Sequence, residues 1–155
     1  DDLGIKSASV HYHFRHKEDL GLALVERYET EFFELLEQQS DGETHWENLL
    51  RSFCDQYRSA LTGSDAICLC GLLGAEIFGL PKPLGEAVEQ FFLRNIEWVE
   101  NALPDEFSQS ERKAKAQAII AGLQGAMMLA NSLGDYAIFD SVVENLMSDL
   151  GRSTT

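Results

Sequence analysis

The chain has 155 residues, 45% apolar and 25% charged, with only 3 prolines. That is one domain's worth of chain, and the composition excludes a disordered tail or a collagen-like repeat. A formal charge of −14, from 12 Lys+Arg against 26 Asp+Glu, would by itself argue against nucleic acid, whose phosphates need a basic surface. The charge is unevenly spread. Residues 1–17 carry Lys6, Arg15 and Lys17 against Asp1 and Asp2, a net +1, so residues 18–155 carry −15. Three of the four histidines also fall in the basic N-terminal stretch.

The pattern is helical nearly throughout, and no strand-like alternation is sustained. A short helix is predicted over 7–15. A long one follows over 17–39, with Leu20, Leu24, Tyr28, Phe32 and Leu35/Leu36 at helical spacing. After the Ser40-Asp41-Gly42 break, 43–61 carries Trp46, Leu49/Leu50, Phe53 and Tyr57. Residues 65–79 are apolar nearly all round, which predicts a buried helix. Beyond Pro81 and Pro83, 84–102 carries Val88, Phe91/Phe92, Ile96, Val99 and Leu103. Ser108 and Glu111 have capping-box spacing and open a helix over 109–133. The last helix is predicted over 136–150.

Three sparse cysteines, Cys54, Cys68 and Cys70, suit a reducing compartment. No apolar run reaches the roughly 20 residues that span a bilayer, and no signal-peptide core opens the chain, so a cytoplasmic protein is expected. Enzymatic signatures are missing: no Gly-x-Ser-x-Gly, phosphate-cradling glycine loop, His-Glu-x-x-His or Cys-x-x-Cys. No cofactor is implied. His11 and His13 point apart on a helix, and His13 with His16 lacks a third ligand, so no metal site is expected.

The stretch Gly4-Ile5-Lys6-Ser7-Ala8-Ser9-Val10-His11-Tyr12-His13-Phe14-Arg15-His16-Lys17-Glu18-Asp19-Leu20 carries the functional signal. Ile5, Val10, Phe14 and Leu20 can form an apolar seam. Lys6, Ser7, Ser9, His11, Tyr12, His13 and Lys17 then supply hydroxyls, imidazoles and cations on the outer face. That mixture suits a helix that enters a major groove and grips flanking phosphates. The stretch resembles the second half of the helix-turn-helix of TetR-family transcriptional regulators, which typically read Gly-Val-Ser-x-x-Thr/Ser-Leu-Tyr-x-His/Tyr-Phe-x-x-Lys-x-x-Leu. Gly4, Ile5, Ser9, Val10, His13, Phe14, Lys17 and Leu20 fall on that pattern. His11 departs from it, standing where tyrosine is commoner.

The resemblance implies an all-α chain in three parts. Residues 1–16 are the turn and recognition helix of a DNA-binding head, 17–39 a linking helix, and 40–155 an effector-binding and dimerisation domain. It implies that Ser7, Ala8 and Ser9 face base edges. His11, Tyr12 and His13 contact phosphates or the thymine methyl, and Lys17 anchors a phosphate; Lys6 lies on the same outer face. It further implies that the family's first helix and most of its second precede Asp1, so that this stretch of chain binds operator DNA poorly without them.

Cys68-Leu69-Cys70-Gly71-Leu72-Leu73-Gly74-Ala75-Glu76 also resembles a buried-helix signature in one branch of the family. The last two helices resemble the family's dimer helices, which pair as a four-helix bundle between subunits. Ile119, Leu123, Ala126 and Ala130, with Phe139, Val142, Val143, Leu146 and Leu150, make the expected interface; the alternative is that they close the chain's own core.

Candidate effector-pocket residues are aromatic or polar groups on apolar helices: Phe53, Tyr57, Phe78, Phe92, Asn95, Trp98, Gln124 and Met127. Glu76 is the odd carboxylate in an apolar stretch. It meets a helix end or an arginine, or else a cationic effector. Cys68 and Cys70, two apart on a helix, cannot readily bond to each other and read as buried, inert thiols; the resemblance leaves open the alternative that they sense oxidants or electrophiles. The expected function is an effector-released repressor that binds a palindromic operator as a homodimer. The alternative is a helical adaptor or small-molecule-binding protein without DNA binding.

Overall fold

The computed structural model describes residues 14, 16–63 and 68–153. Among them are six α-helices, one short 3-10 turn and no strand. The helices are α1 (Lys17–Ser40), α2 (Trp46–Gly63), α3 (Leu69–Ala75), α4 (Lys82–Ala102), α5 (Gln109–Leu133) and α6 (Ala137–Ser153); the 3-10 turn is Ile77–Gly79. The predicted 7–15 helix lies outside the described residues.

Helix ends fall where the sequence supplies end chemistry. At the start of α1, Asp19 accepts the backbone N–H of His16 at 3.1 Å, and Glu18 and Asp19 place negative charge at the positive end of the helix dipole. The turn into α2 needs Gly42, at φ 73°. Pro83 sits in the first turn of α4, where no backbone donor is lost. Ser108 accepts the Glu111 N–H, and the Glu111 carboxylate accepts the Ser108 N–H at 2.8 Å. α5 stops at Gly134, whose left-handed φ of 64° lets Asp135 N–H reach back to Ala130 O at 3.0 Å.

Packing corrects two sequence expectations. On α1 the buried residues are Val25, Phe32, Phe33 and Leu36, while Leu24 and Leu35 are half exposed. The apolar stripe is wider than its inward part, because α1 meets α2 on one side and α4 on the other. The 65–79 segment is not one buried helix. α3 has only seven residues, Cys70 alone of them is buried, and Leu72 and Phe78 face solvent. The chain turns after Ala75 because the 3-10 turn and Leu80-Pro81 redirect it into α4. Gly74 lies so close to α4 that a Cβ there would sit 3.3 Å from the Phe92 ring.

The core is one cluster of aromatic and aliphatic side chains between α1, α2, α4, α5 and α6. Ion pairs tie its rim. Arg58 holds Asp140 through two bonds, at 2.6 and 3.0 Å, and Arg51 meets Glu144 at 3.0 Å, both joining α2 to α6. Arg58 thereby holds the Asp140 carboxyl below its ordinary range. Arg94 lies 4.0 Å over the Phe33 ring and reaches Glu29 at 3.2 Å, joining α4 to α1. These pairs are exposed to solvent and screened by it, so each adds little to stability.

The Ser108 box is a cleaner source of stability, because it satisfies donors that the helix itself cannot. Ser108→Ala is expected to destabilise the chain by about 1 kcal/mol in urea unfolding, with an unchanged denaturant slope.

Candidate functional site

The interior holds a chain of hydrogen bonds crossing three helices. Gln124 on α5 donates through Nε2 to the Tyr57 hydroxyl of α2 at 3.4 Å. That hydroxyl donates to Asn95 Oδ1 on α4 at 3.2 Å. Asn95 Nδ2 donates to the Phe91 carbonyl one turn back at 2.6 Å. Tyr57 and Asn95 are fully buried, so each bond satisfies a group that water does not reach. A fourth helix closes in at Gly71 of α3, where a side chain would collide with Gln124 Oε1. α1 joins next to this centre, through Tyr28, whose hydroxyl donates to Cys68 Sγ at 3.3 Å.

Burial controls the electrostatics here. It pushes the Tyr57 and Tyr28 hydroxyls well above the ordinary phenol range; the nearby Cys68 adds to both shifts, and at Tyr57 the Gln124 bond works the other way. Both are neutral donors at any physiological pH. Burial likewise raises the Cys54 thiol to about 12 and drives Cys70 up. All three cysteines are free and buried. Thiolates are disfavoured at Cys54 and Cys70, so neither is a nucleophile at neutral pH.

Of the pocket candidates, Tyr57, Asn95 and Gln124 come together. Phe53 and Trp98 stack on each other beside them, ring centroids 5.2 Å apart, and Met127 is fully buried. Phe92 belongs to a separate outer groove of 630 Å³ between α4 and the 3-10 turn, lined also by Gly74, Ile77 and Ile96. Glu76 is exposed at the end of α3, and Phe78 is fully exposed. Those two lie apart from the buried centre because the chain turns outward after Ala75.

The expected dimer residues divide. Ile119, Leu123, Ala126, Ala130, Phe139 and Leu150 are buried in this chain's own core, which leaves them no surface for a partner. Val142, Val143 and Leu146 are half-buried, and Leu146 packs on Gly122 of α5. The face that α5 turns outward carries Ala118, Ala121, Gly125, Met128 and Leu129 instead. Of the DNA-contact candidates, Lys6, Ser7, Ala8, Ser9, His11, Tyr12 and His13 lie outside the described residues; Lys17 is exposed in the first turn of α1.

Sequence reasoning passed over Gln56. It is 5% exposed and its Nε2 has no hydrogen-bond partner. Its signal was present: it sits at +3 from Phe53 and +7 from Leu49, on the inward stripe of a strongly amphipathic helix.

Solved structures similar to this one are transcriptional regulators. A TetR transcriptional regulator from Legionella pneumophila superposes with TM-score 0.88 over 96% of this chain and 81% of its own, at 26% identity. The chain has the TetR-family fold. A TetR-family regulator from Agrobacterium tumefaciens gives TM-score 0.84 at 26% identity, covering 94% of this chain and 80% of its own. The regulatory protein TetR from Rhodobacter sphaeroides gives 0.80 at 25%, covering 93% and 81%. In sequence, the transcriptional regulator AcuR of Cereibacter sphaeroides is 36% identical over 87 residues, which is 54% of this chain and 40% of that protein. The matched part thus spans about two fifths of that curated relative. No protein-family model matches the chain. The likeness to TetR-family proteins covers α1 to α6, well beyond the motif that first pointed to it.

Tyr57 is the keystone of the buried chain of bonds. Tyr57→Phe is expected to cost about 1–3 kcal/mol in chemical denaturation, since it leaves Asn95 Oδ1 buried without a donor. Adding Asn95→Leu to that variant is expected to restore part of the loss; an additive further loss would show the two residues to be uncoupled.

Proposed function

We propose that this chain is the regulatory body, with part of the DNA-binding head, of an effector-responsive transcriptional repressor that acts as a homodimer on a palindromic operator. The observation that carries the proposal is the fold match to TetR-family regulators over 93–96% of the chain. The recognition-helix pattern at Gly4, Ile5, Ser9, Val10, His13, Phe14, Lys17 and Leu20 agrees with it. In this reading Ser7, Ala8 and Ser9 read bases, and Lys6, His11, Tyr12, His13 and Lys17 hold phosphates and flanking groups. Its activity is binding, not catalysis, and its place is the cytoplasm. No described helix is long and apolar enough to cross a membrane.

α1 is the mechanical link. Its first residue, Lys17, belongs to the DNA-contact set, and its second half is sealed into the core through Phe32, Phe33 and Leu36. Gly21 lets α1 cross closely over α4, where a Cβ would lie 3.2 Å from Leu84. An effector held against the inner part of α1 tilts its outer end about that crossing and changes the spacing of two heads set about one DNA turn apart, ~34–36 Å. The shift extends only as far as the effector prefers one spacing over the other.

The second chain docks on the outward face of α5 around Gly125, with Val142 and Leu146 of α6 beside it. A side chain at Gly125 meets nothing within 4 Å inside this chain. Gly125→Arg is therefore expected to leave helicity intact by circular dichroism and to shift sedimentation from dimer to monomer. Retention of the dimer would move the interface elsewhere.

DNA binding is tested with the full-length protein and promoter fragments from its own genomic neighbourhood. Footprinting is expected to protect a short palindrome. Lys17→Ala should weaken binding roughly tenfold across sequences and reduce the salt dependence by about one counterion. A full-length protein that protects no fragment would favour the adaptor reading.

A further inference from the structure

The outer groove of 630 Å³ runs along α4, with the 3-10 turn as its other wall. Ile77, Val88, Phe92, Leu93 and Ile96 supply its apolar surface, and Gly74 and Gly85 line it without side chains. Leu93 is half exposed, so that surface stands open to solvent. Three charged groups line the groove, all from α4: Lys82, Glu86 and Glu89. Lys82 and Glu86 are one turn apart and meet at 3.4 Å. Glu89 has no ion-pair or hydrogen-bond partner among the described residues. It is three residues before Phe92, so the two share a face of the helix. We infer that this groove is a binding site for a small organic monocation, with its ammonium group against the Glu89 carboxylate beside the Phe92 ring and its apolar body over Leu93 and Ile96. The inference goes beyond the proposed function and does not depend on it. The site lies on the outer side of α4, apart from the buried Tyr57, Asn95 and Gln124, and its occupant is detected without DNA.

The charge of the ligand follows from the lining. One cation faces two carboxylates, and the cation is already met by the nearer of them. An organic anion would have to draw Lys82 away from Glu86 and would then lie beside two carboxylates without a counter-charge. A neutral compound that covered Leu93 would take water from Glu89 and return nothing to its charge. A monocation replaces that water with an opposite charge. Lys82 opposes it little, because it stands two turns from Glu89, about 10 Å along the helix axis, which exceeds the Debye length of about 8 Å at physiological salt. The acidic charge of the chain as a whole, −14, favours the same sign of ligand. The volume falls in the range of drug-sized ligand sites, and the mostly apolar walls ask for an apolar body behind the charged group.

The test uses the full-length protein, ¹³C-labelled at its isoleucine, leucine and valine methyl groups, with no DNA present. The probes are 4-phenylbutyltrimethylammonium, 4-phenylbutanesulfonate and 4-phenylbutanol, which share one apolar body and differ in charge. Ligands of this size bind at about millimolar strength. The ammonium probe is expected to shift the Val88, Leu93 and Ile96 methyl resonances saturably and to bind about tenfold more tightly than the sulfonate. Glu89 is exposed, so Glu89→Gln leaves the fold intact. That variant should bind the ammonium about threefold more weakly and the alcohol as before. Lys82→Gln should bind the ammonium at least as tightly as the parent protein does. Unmoved groove methyls at millimolar ammonium probe, equal or tighter binding of the sulfonate, or undiminished ammonium binding by Glu89→Gln would each overturn the inference. Weaker ammonium binding by Lys82→Gln would overturn it too, because the lysine would then belong to the site.

Discussion

The ring of Phe32 is the point at which three helices become one body. It lies on α1 and packs against Phe53 and Tyr57 of α2 and Phe91 of α4, with Tyr28 and Phe33 of its own helix on either side. Most of these contacts are edge-to-face, the arrangement that aligns the positive rim of one ring with the negative face of the next, and each contributes about 0.5–1.5 kcal/mol beyond the area it buries. α1 is the helix whose outer end carries Lys17. The residue that fastens it to the body is therefore also the residue through which the body can act on its outer end.

Around that aromatic centre the polar groups are arranged with little slack. Gln124, Tyr57 and Asn95 form a relay ending on a backbone carbonyl, and Gly71 removes the side chain that would block it. A buried network of this kind fixes the relative rotation of α2, α4 and α5, because each helix must present one polar atom at one place. The interior is rigid where the bonds are complete. On the α1–α2 flank it is incomplete at a single atom, and that flank borders the helix that leads toward the N-terminal motif.

Much of this was legible in the sequence, for reasons that differ by element. α5 and α4 were read within a residue or two because capping chemistry at Ser108, Pro83 and Gly134 is local and leaves a signature in neighbouring residues. Tyr57, Asn95 and Gln124 stood out by residue type alone, as polar or aromatic groups on apolar helices, but as pocket candidates; that they bond to one another needed the fold. The phase of α1 was not legible in the same way. Leu24 and Leu35 are as apolar as Val25 and Phe33, and only the direction from which α2 and α4 approach decides which pair is covered. The same holds for α5, where Ile119 and Leu123 form so regular a stripe that they read as an interface; the fold uses them inside and turns small residues outward. The segment around Phe78 misled because hydrophobicity all round implies burial only when the chain stays straight. Gln56 was missed because the amphipathic pattern puts it on the inward stripe of α2 but does not say that its donor finds no partner there.

On the proposed function, electrostatics gives the acidic body a part in DNA recognition. Every described arginine is engaged by a carboxylate: Arg27 with Glu31, Arg51 with Glu144, Arg58 with Asp140, Arg94 with Glu29, Arg112 with Asp105 and Arg152 with Asp149. Guanidinium groups held in this way present little to a phosphate, and the excess of carboxylates around them repels one. Residues 1–17 carry the opposite sign. On the proposed reading, a body of net charge −15 is repelled by a polyanion, whereas residues 1–17 at net +1 are not. That difference penalises docking poses in which the acidic body leads. An acidic composition is thus compatible with the proposed binding of nucleic acid, and its contribution there is to exclude poses led by the body.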